Sequence, residues 1–83
     1  MPYLVYVLKS LRTGKHYVGQ TNNLTRRLAE HNKGKKFFDR LNSPFETVYF
    51  EKHETRFLAL QREKFLKTSV GRKELKIITK TID

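Results

Sequence analysis

The sequence predicts an α/β chain of the α+β kind, a small three-stranded antiparallel sheet flanked by helices in the order β-β-α-β-α-α. Three observations predict it. The run Tyr3-Leu4-Val5-Tyr6-Val7-Leu8 is apolar throughout, rich in aromatic and β-branched residues and without polar alternation, as a central strand covered on both faces requires. Shorter strand-like segments at residues 16–19 and 45–51 are set off from it by turn residues. Elsewhere the apolar residues take helical spacing, first at Leu24 and Leu28 and again from Thr55 onward.

Taken in order, residues 10–15 form a turn in which Gly14 takes a positive φ, and residues 16–19 return as the second strand of a hairpin. An even number of loop residues sets even positions of the first strand opposite odd positions of the second. That register, the expected one, places Tyr6 on the side of Tyr17 and Gly19. Thr21, Asn22 and Asn23 all suit an N-cap, so a helix begins there and runs to about Asn32, with Gly34 as its stop signal. Residues 33–40 mix cations, aromatics and a glycine without a clean period; they read as a basic connector with room for one helical turn, ending at Ser43-Pro44. In the third strand, residues 45–51, alternation places Val48 and Phe50 on one face and Tyr49 on the other. Residues 55–67 are helical, with Phe57, Leu58, Leu60, Phe65 and Leu66 apolar; Glu63 falls among them and points its carboxylate toward the core side. Residues 68–71 break the run, and Leu75, Ile78 and Ile82 mark a last helix whose other faces carry Arg72, Lys73, Lys76 and Lys80.

Eighty-three residues are expected to make one domain spanning 1–83 with a single modest core. Eighteen Lys plus Arg against eight Asp plus Glu give a formal net charge of +10, more than solubility alone asks for. A polyanion is the natural partner. Nucleic acid is favoured over a membrane, because the chain has no long apolar run and neither a signal peptide nor a lipidation motif is expected. The absence of cysteine excludes disulfides, thiolate metal sites and cysteine nucleophiles, and agrees with an expected cytoplasmic location.

Helical spacing from Leu24 and Leu28 sets Arg27 and His31 on the core-facing stripe, where a helix normally carries leucines. A cation and an imidazole aimed inward need buried partners or an anionic ligand. Tyr6, Tyr17, Arg27, His31 and Glu63 are each polar or amphipathic where the pattern asks for core. One carboxylate suffices for Mg²⁺, which keeps waters and phosphate oxygens as its other ligands. An arginine stabilises phosphoryl charge, and a tyrosine can accept a proton once its pKa is depressed. Together they suggest a metal-assisted phosphodiesterase site. Each residue also has a purely structural use: half-buried strand aromatics for the tyrosines, a buried ion pair between Arg27 and Glu63, and a satisfied helix-end histidine for His31.

The order Leu4-Val5-Tyr6, Tyr17-Val18-Gly19, Arg27, His31 and a distant helical Glu63 resembles the GIY-YIG nuclease family. Further pieces are similar to its small stand-alone bacterial members, relatives of the excision-repair endonuclease subunit: Arg26-Arg27-Leu28, Glu30-His31-Asn32, Val48-Tyr49-Phe50-Glu51 and Arg62-Glu63-Lys64-Phe65-Leu66-Lys67. The resemblance implies a DNA endonuclease, dependent on Mg²⁺ or Mn²⁺, in which water attacks the phosphodiester and leaves 5′-phosphate and 3′-hydroxyl ends, in repair or recombination. It implies Glu63 as metal ligand, Arg27 on the scissile phosphate, Tyr6 and Tyr17 as the signature tyrosines, one of them the base, and His31 completing the hydrogen-bond network. Gly19 then allows close approach of the phosphate. Leu4 stands in place of the first glycine of the family name, and Gln20 where many family nucleases carry a lysine. The alternative is a non-catalytic nucleic-acid-binding module, which needs Lys35, Lys36, Arg40, Lys73 and Lys76 but not Glu63.

Overall fold

The apolar run becomes the middle of the sheet. A computed structural model describes residues 2–82, with side chains as far as Lys80. In chain order the elements are β1 (Tyr3–Ser10), β2 (His16–Thr21), α1 (Leu24–Lys33), α2 (Phe37–Asn42), β3 (Phe45–His53), α3 (Arg56–Leu66) and α4 (Ser69–Ile82). The sheet order is β2-β1-β3, antiparallel at both pairings. Val5, Tyr6, Val7 and Leu8 are all buried, as the unalternating pattern requires. Burying one such side chain is worth roughly 1.5–3 kcal/mol, so β1 anchors both faces at once.

Those faces divide the core. Val5 and Val7 pack with Val18, Ala59, Leu66 and Leu75, which brings α3 and α4 to one side. Tyr6 and Leu8 pack with Phe45, Tyr17, Leu24 and Leu28, which brings α1 to the other. The hairpin has the predicted parity: Leu8 faces Tyr17, Tyr6 faces Gly19, and Gly14 takes φ 78° in the loop. The Asn23 side chain caps α1 by accepting from the Arg26 N–H, and Gly34 ends it at φ 66°. Thr55 caps α3 in the same way, through the Leu58 N–H.

Two sequence readings are corrected and one is extended. The basic connector contains a defined helix, α2, too short to show a period; its last residue, Asn42, is tied to the hairpin loop, accepting from Thr13 Oγ1 at 2.6 Å through its side chain and from Ser10 Oγ through its carbonyl. In β3, a register shift opposite Val7 and Leu8 inserts Val48 between two paired residues, so Val48 and Tyr49 both pack against the Val5 and Val7 core. Strict alternation fails there because a bulge adds one residue to one strand. The expected break between the last two helices falls at Lys67 and Thr68, and Gly71 is not part of it: it lies buried inside α4, where a Cβ would collide with the Phe65 carbonyl and the Leu66 Cα. Its missing side chain lets α4 start hard against the end of α3. Of the predicted apolar stripe, Ile82 lies outside the residues whose side chains are described.

On the outer side, Arg62 of α3 donates to Glu51 of β3 at 2.6 Å and to both carboxylate oxygens of Glu74 in α4. Tyr49 donates to the other Glu51 oxygen at 2.8 Å. This network fixes α3 against the sheet, and with it the residue one position further on, Glu63.

Candidate active site

Strand parity sets Tyr6 and Tyr17 side by side, their ring centroids 6.3 Å apart and their planes at 29°. Gly19 makes this possible. A Cβ there would lie 2.5 Å from the Tyr6 hydroxyl and 3.1 Å from Tyr17 Cε1, so the Tyr6 hydroxyl occupies the space a side chain would take.

The inward stripe of α1 delivers the two polar residues read from spacing. His31 is buried, its ring centroid 4.6 Å from that of Tyr17, and its Nε2 lies 3.1 Å from Tyr6 Oη. Arg27, one turn earlier, is half-buried; it donates to Glu30 at 3.2 Å, and hydrogen bonding to Tyr6 holds its guanidinium still more firmly protonated. Its Nε is buried without a hydrogen-bond partner, an unmet donor that costs stability. From the other side of the sheet α3 brings Glu63, on the same stripe as Ala59 and Leu66. Its carboxylate accepts from Lys67 Nζ at 2.8 Å, and that ammonium also lies 5.9 Å from the centroid of the Tyr17 ring.

Electrostatics link these groups. Burial pushes the Tyr6 hydroxyl from its ordinary 10.0 up to about 12; a hydrogen bond from Arg27 opposes the rise, and negative charge on Tyr17 and Glu63 adds to it. Among the described residues Arg27 and Glu63 form no ion pair with each other. The interhelical salt bridge that would have made both merely structural is therefore not what the fold builds. Each is paired on its own helix instead, Arg27 with Glu30 and Glu63 with Lys67.

Two residues of this neighbourhood were not read from the sequence. Asp39 of α2 is buried, with Oδ1 3.0 Å from His31 Nδ1. Its only signal was being the one acid among the cations of residues 33–40. Lys67 could have been found from its i, i+4 spacing to Glu63. Gln20 is out of phase with the tyrosines, opposite Val5, and lines a polar cavity with Arg26, Arg27 and Arg56.

The expected basic surface is split. Lys35 and Lys36 line a cavity of about 260 Å³ that also touches Arg27, His31 and Asp39. Lys76 borders a larger groove with Lys67 and Arg72, over Tyr17, Val18 and Leu75. Arg40 and Lys73 are exposed and line neither. Two cationic margins thus flank the tyrosine pair. No helix among the described residues is long and apolar enough to cross a membrane.

A three-stranded antiparallel sheet that sets two strand tyrosines side by side over a glycine, with helices packed on both faces, is a nuclease fold. The chain belongs to the GIY-YIG family: the sequence profile of the GIY-YIG catalytic domain matches residues 2–76. It is similar to a UPF0213 protein of Staphylococcus saprophyticus, 31% identical over 78 residues, covering 93% of this chain and 94% of that one. A UPF0213 protein of Staphylococcus epidermidis is 34% identical over 77 residues, covering 92% and 93%. The solution structure of a UPF0213 protein from Bacillus halodurans superposes with a TM-score of 0.58 at 25% identity, covering 99% of this chain and 87% of that one.

Proposed function

We propose that this protein is a divalent-metal-dependent DNA endonuclease that hydrolyses phosphodiester bonds in repair or recombination. The observation that carries the reading is the pair of strand tyrosines set side by side over Gly19, with Arg27 and His31 of α1 on Tyr6 and the Glu63–Lys67 pair of α3 reaching the Tyr17 ring through its ammonium. Arg27 offers its partly exposed guanidinium to the scissile phosphate. Tyr6 and Tyr17 stand beside it as proton acceptors or orienters of the attacking water, and Gly19 makes the room that the Tyr6 hydroxyl occupies.

Among the described residues no group of three or more His, Cys, Asp or Glu side chains could cage a metal. Glu63 alone fits the demand of Mg²⁺ or Mn²⁺, which binds through one or two carboxylates and completes its shell with water and phosphate oxygens. Bound there, the ion supplies positive charge to the phosphate undergoing attack.

The experiment is incubation of purified protein with plasmid, branched and single-stranded DNA in Mg²⁺ or Mn²⁺. Nicking that chelator and Glu63→Ala both abolish supports the reading; cutting that neither affects rejects the metal role. A second reading, a nucleic-acid-binding module that does not cut, has its own support, because Lys67 already satisfies Glu63 with a cation. Binding without cutting on every substrate would favour it.

A further inference from the structure

Behind Tyr6 runs a buried chain that none of the proposed steps yet uses. Tyr6, His31 and Asp39 are 1%, 3% and 5% exposed. Tyr6 Oη lies 3.1 Å from His31 Nε2, and His31 Nδ1 lies 3.0 Å from Asp39 Oδ1. The three residues come from β1, α1 and α2, so only the folded chain assembles them.

We propose that Asp39 is a positioning residue that holds His31 as the Nδ1–H tautomer and thereby makes His31 Nε2 the acceptor of the Tyr6 proton. The inference rests on the nuclease reading for its purpose, though not for its geometry. An ionised carboxylate can only accept, so the nitrogen facing Asp39 carries the hydrogen. In neutral imidazole the lone pair then sits on Nε2, and the phenol hydroxyl is its donor. A buried carboxylate without such a partner would be costly, which gives Asp39 a reason to keep the pair formed.

Its place is set by more than that pair. Phe38, the preceding residue, stacks on Phe45 and lies against Tyr17, and Asn42 is tied to Ser10 and Thr13 of the hairpin loop. A carboxylate held on a pinned helix fixes the imidazole ring, not only its charge.

The chain answers a chemical problem. A phenol that burial makes hard to ionise is a poor base unless its proton has somewhere to go. As water oxygen bonds to phosphorus, the water proton passes to Tyr6 Oη while Tyr6 passes its own to His31 Nε2. The P–O3′ bond breaks and the 3′ oxygen takes a proton from solvent. Positive charge ends on an imidazolium paired with Asp39. The groups facing this path are Tyr17 from β2, Arg27 from α1, and Glu63 and Lys67 from α3. At the far end, His31 and Asp39 line the cavity that carries Lys33, Lys35 and Lys36, through which the proton can return to water.

The test is ¹⁵N–¹H long-range correlation of the His31 ring at neutral pH, in wild type and Asp39→Asn, with single-turnover cleavage and metal-free DNA affinity measured alongside. The expected wild-type state is neutral imidazole with hydrogen on Nδ1. Asp39→Asn should shift the ring toward the Nε2–H tautomer and slow cleavage by about 10²-fold, the scale of a lost proton acceptor, with metal-free DNA affinity equal or tighter because Asp39 lines the cavity of Lys35 and Lys36. An imidazolium in wild type would mean a plain buried ion pair and would overturn the proposal, as would the Nε2–H tautomer. Wild-type cleavage by a folded Asp39→Asn protein would overturn it too. If Asp39→Asn does not fold, the wild-type tautomer still decides. In a protein that cuts no DNA, the Nδ1–H tautomer upholds the chain and only the nuclease reading falls.

Discussion

Lys67 and Glu63 form a 2.8 Å ion pair one turn apart on α3, and it places an ammonium where the proposed metal must bind. Competition for one carboxylate has a measurable consequence. Lys67→Ala should lower the Mg²⁺ concentration needed for half-maximal cutting several-fold, because the ion no longer displaces an internal cation. The fold should barely notice: half of the Lys67 side chain is exposed, and exposed i, i+4 pairs contribute about 0.3–0.5 kcal/mol. A metal titration of cleavage beside a thermal melt separates the two effects. An unchanged or higher metal requirement would show that Lys67 serves the substrate rather than competing with the metal.

Gly19 yields the second prediction. The Tyr6 hydroxyl fills the space of the glycine's absent Cβ, at 2.5 Å. Gly19→Ala should therefore move Tyr6, at an overpacking cost of about 1–3 kcal/mol, and break its contact with His31. Denaturant unfolding gives the first quantity, and the His31 ring resonances report the second. Stability and resonances matching wild type would mean that the ring slides aside freely.

The two tyrosines should differ when their hydroxyls are removed. Tyr6→Phe leaves His31 Nε2 buried without its partner, which costs about 1–3 kcal/mol, whereas half-buried Tyr17 should lose little. At least one of the two should cut about 10²-fold more slowly. Chemical denaturation of both variants, with cleavage assayed well below their midpoints, distinguishes lost chemistry from lost fold. Equal activity in both would remove the tyrosines from the mechanism.

This contrast shows what could be read in advance. Strand parity and the helical stripe were legible because each follows from a fixed period: two for Tyr6, Tyr17 and Gly19, 3.6 for Arg27, His31 and Glu63. Asp39 was not, since α2 spans six residues and its packing is decided by contacts with the hairpin loop and Phe45. Nor was the Val48 bulge, which arises from pairing with β1 and leaves no mark in β3 itself. Gly71 was misread because a glycine that ends a helix and one that admits a neighbouring helix look alike until the neighbour is placed. Periodic features were readable and non-local ones were not.

Acid should weaken the fold through Glu51. Burial raises its pKa, but hydrogen bonds from Tyr49, Arg62 and His53 outweigh that and hold the carboxyl below its ordinary 4.5. A depressed folded value means that its contribution is fully present above about pH 4.5 and is lost as pH falls through the folded value. Glu51→Gln should cost about 1–3 kcal/mol at neutral pH and flatten the loss of stability below pH 4.5. Urea unfolding across that range measures both. An acid slope identical to wild type would place the acid sensitivity in other carboxylates.

The last prediction separates DNA binding from chemistry, using the two cationic margins that flank the tyrosine pair. If Lys35 and Lys36 on one side and Lys76 on the other follow the DNA backbone, affinity must fall with salt, each neutralised phosphate adding roughly 0.7–0.9 to the slope of log K against log salt. Lys36→Ala and Lys76→Ala should each weaken binding to all sequences alike and reduce that slope by about one. Lys73→Ala is the control, because Lys73 is exposed but lines neither cavity. Its slope should stay close to that of wild type. Glu63→Ala should behave differently again: with a negative charge removed from the phosphate's side, metal-free affinity should be equal or tighter while cutting is lost. A salt titration of all four variants without metal tests these together. Equal slope changes at Lys36, Lys76 and Lys73 would show a diffuse charge field instead of two margins, and a large loss of affinity in folded Glu63→Ala would give that carboxylate a structural role in shaping the DNA-binding face.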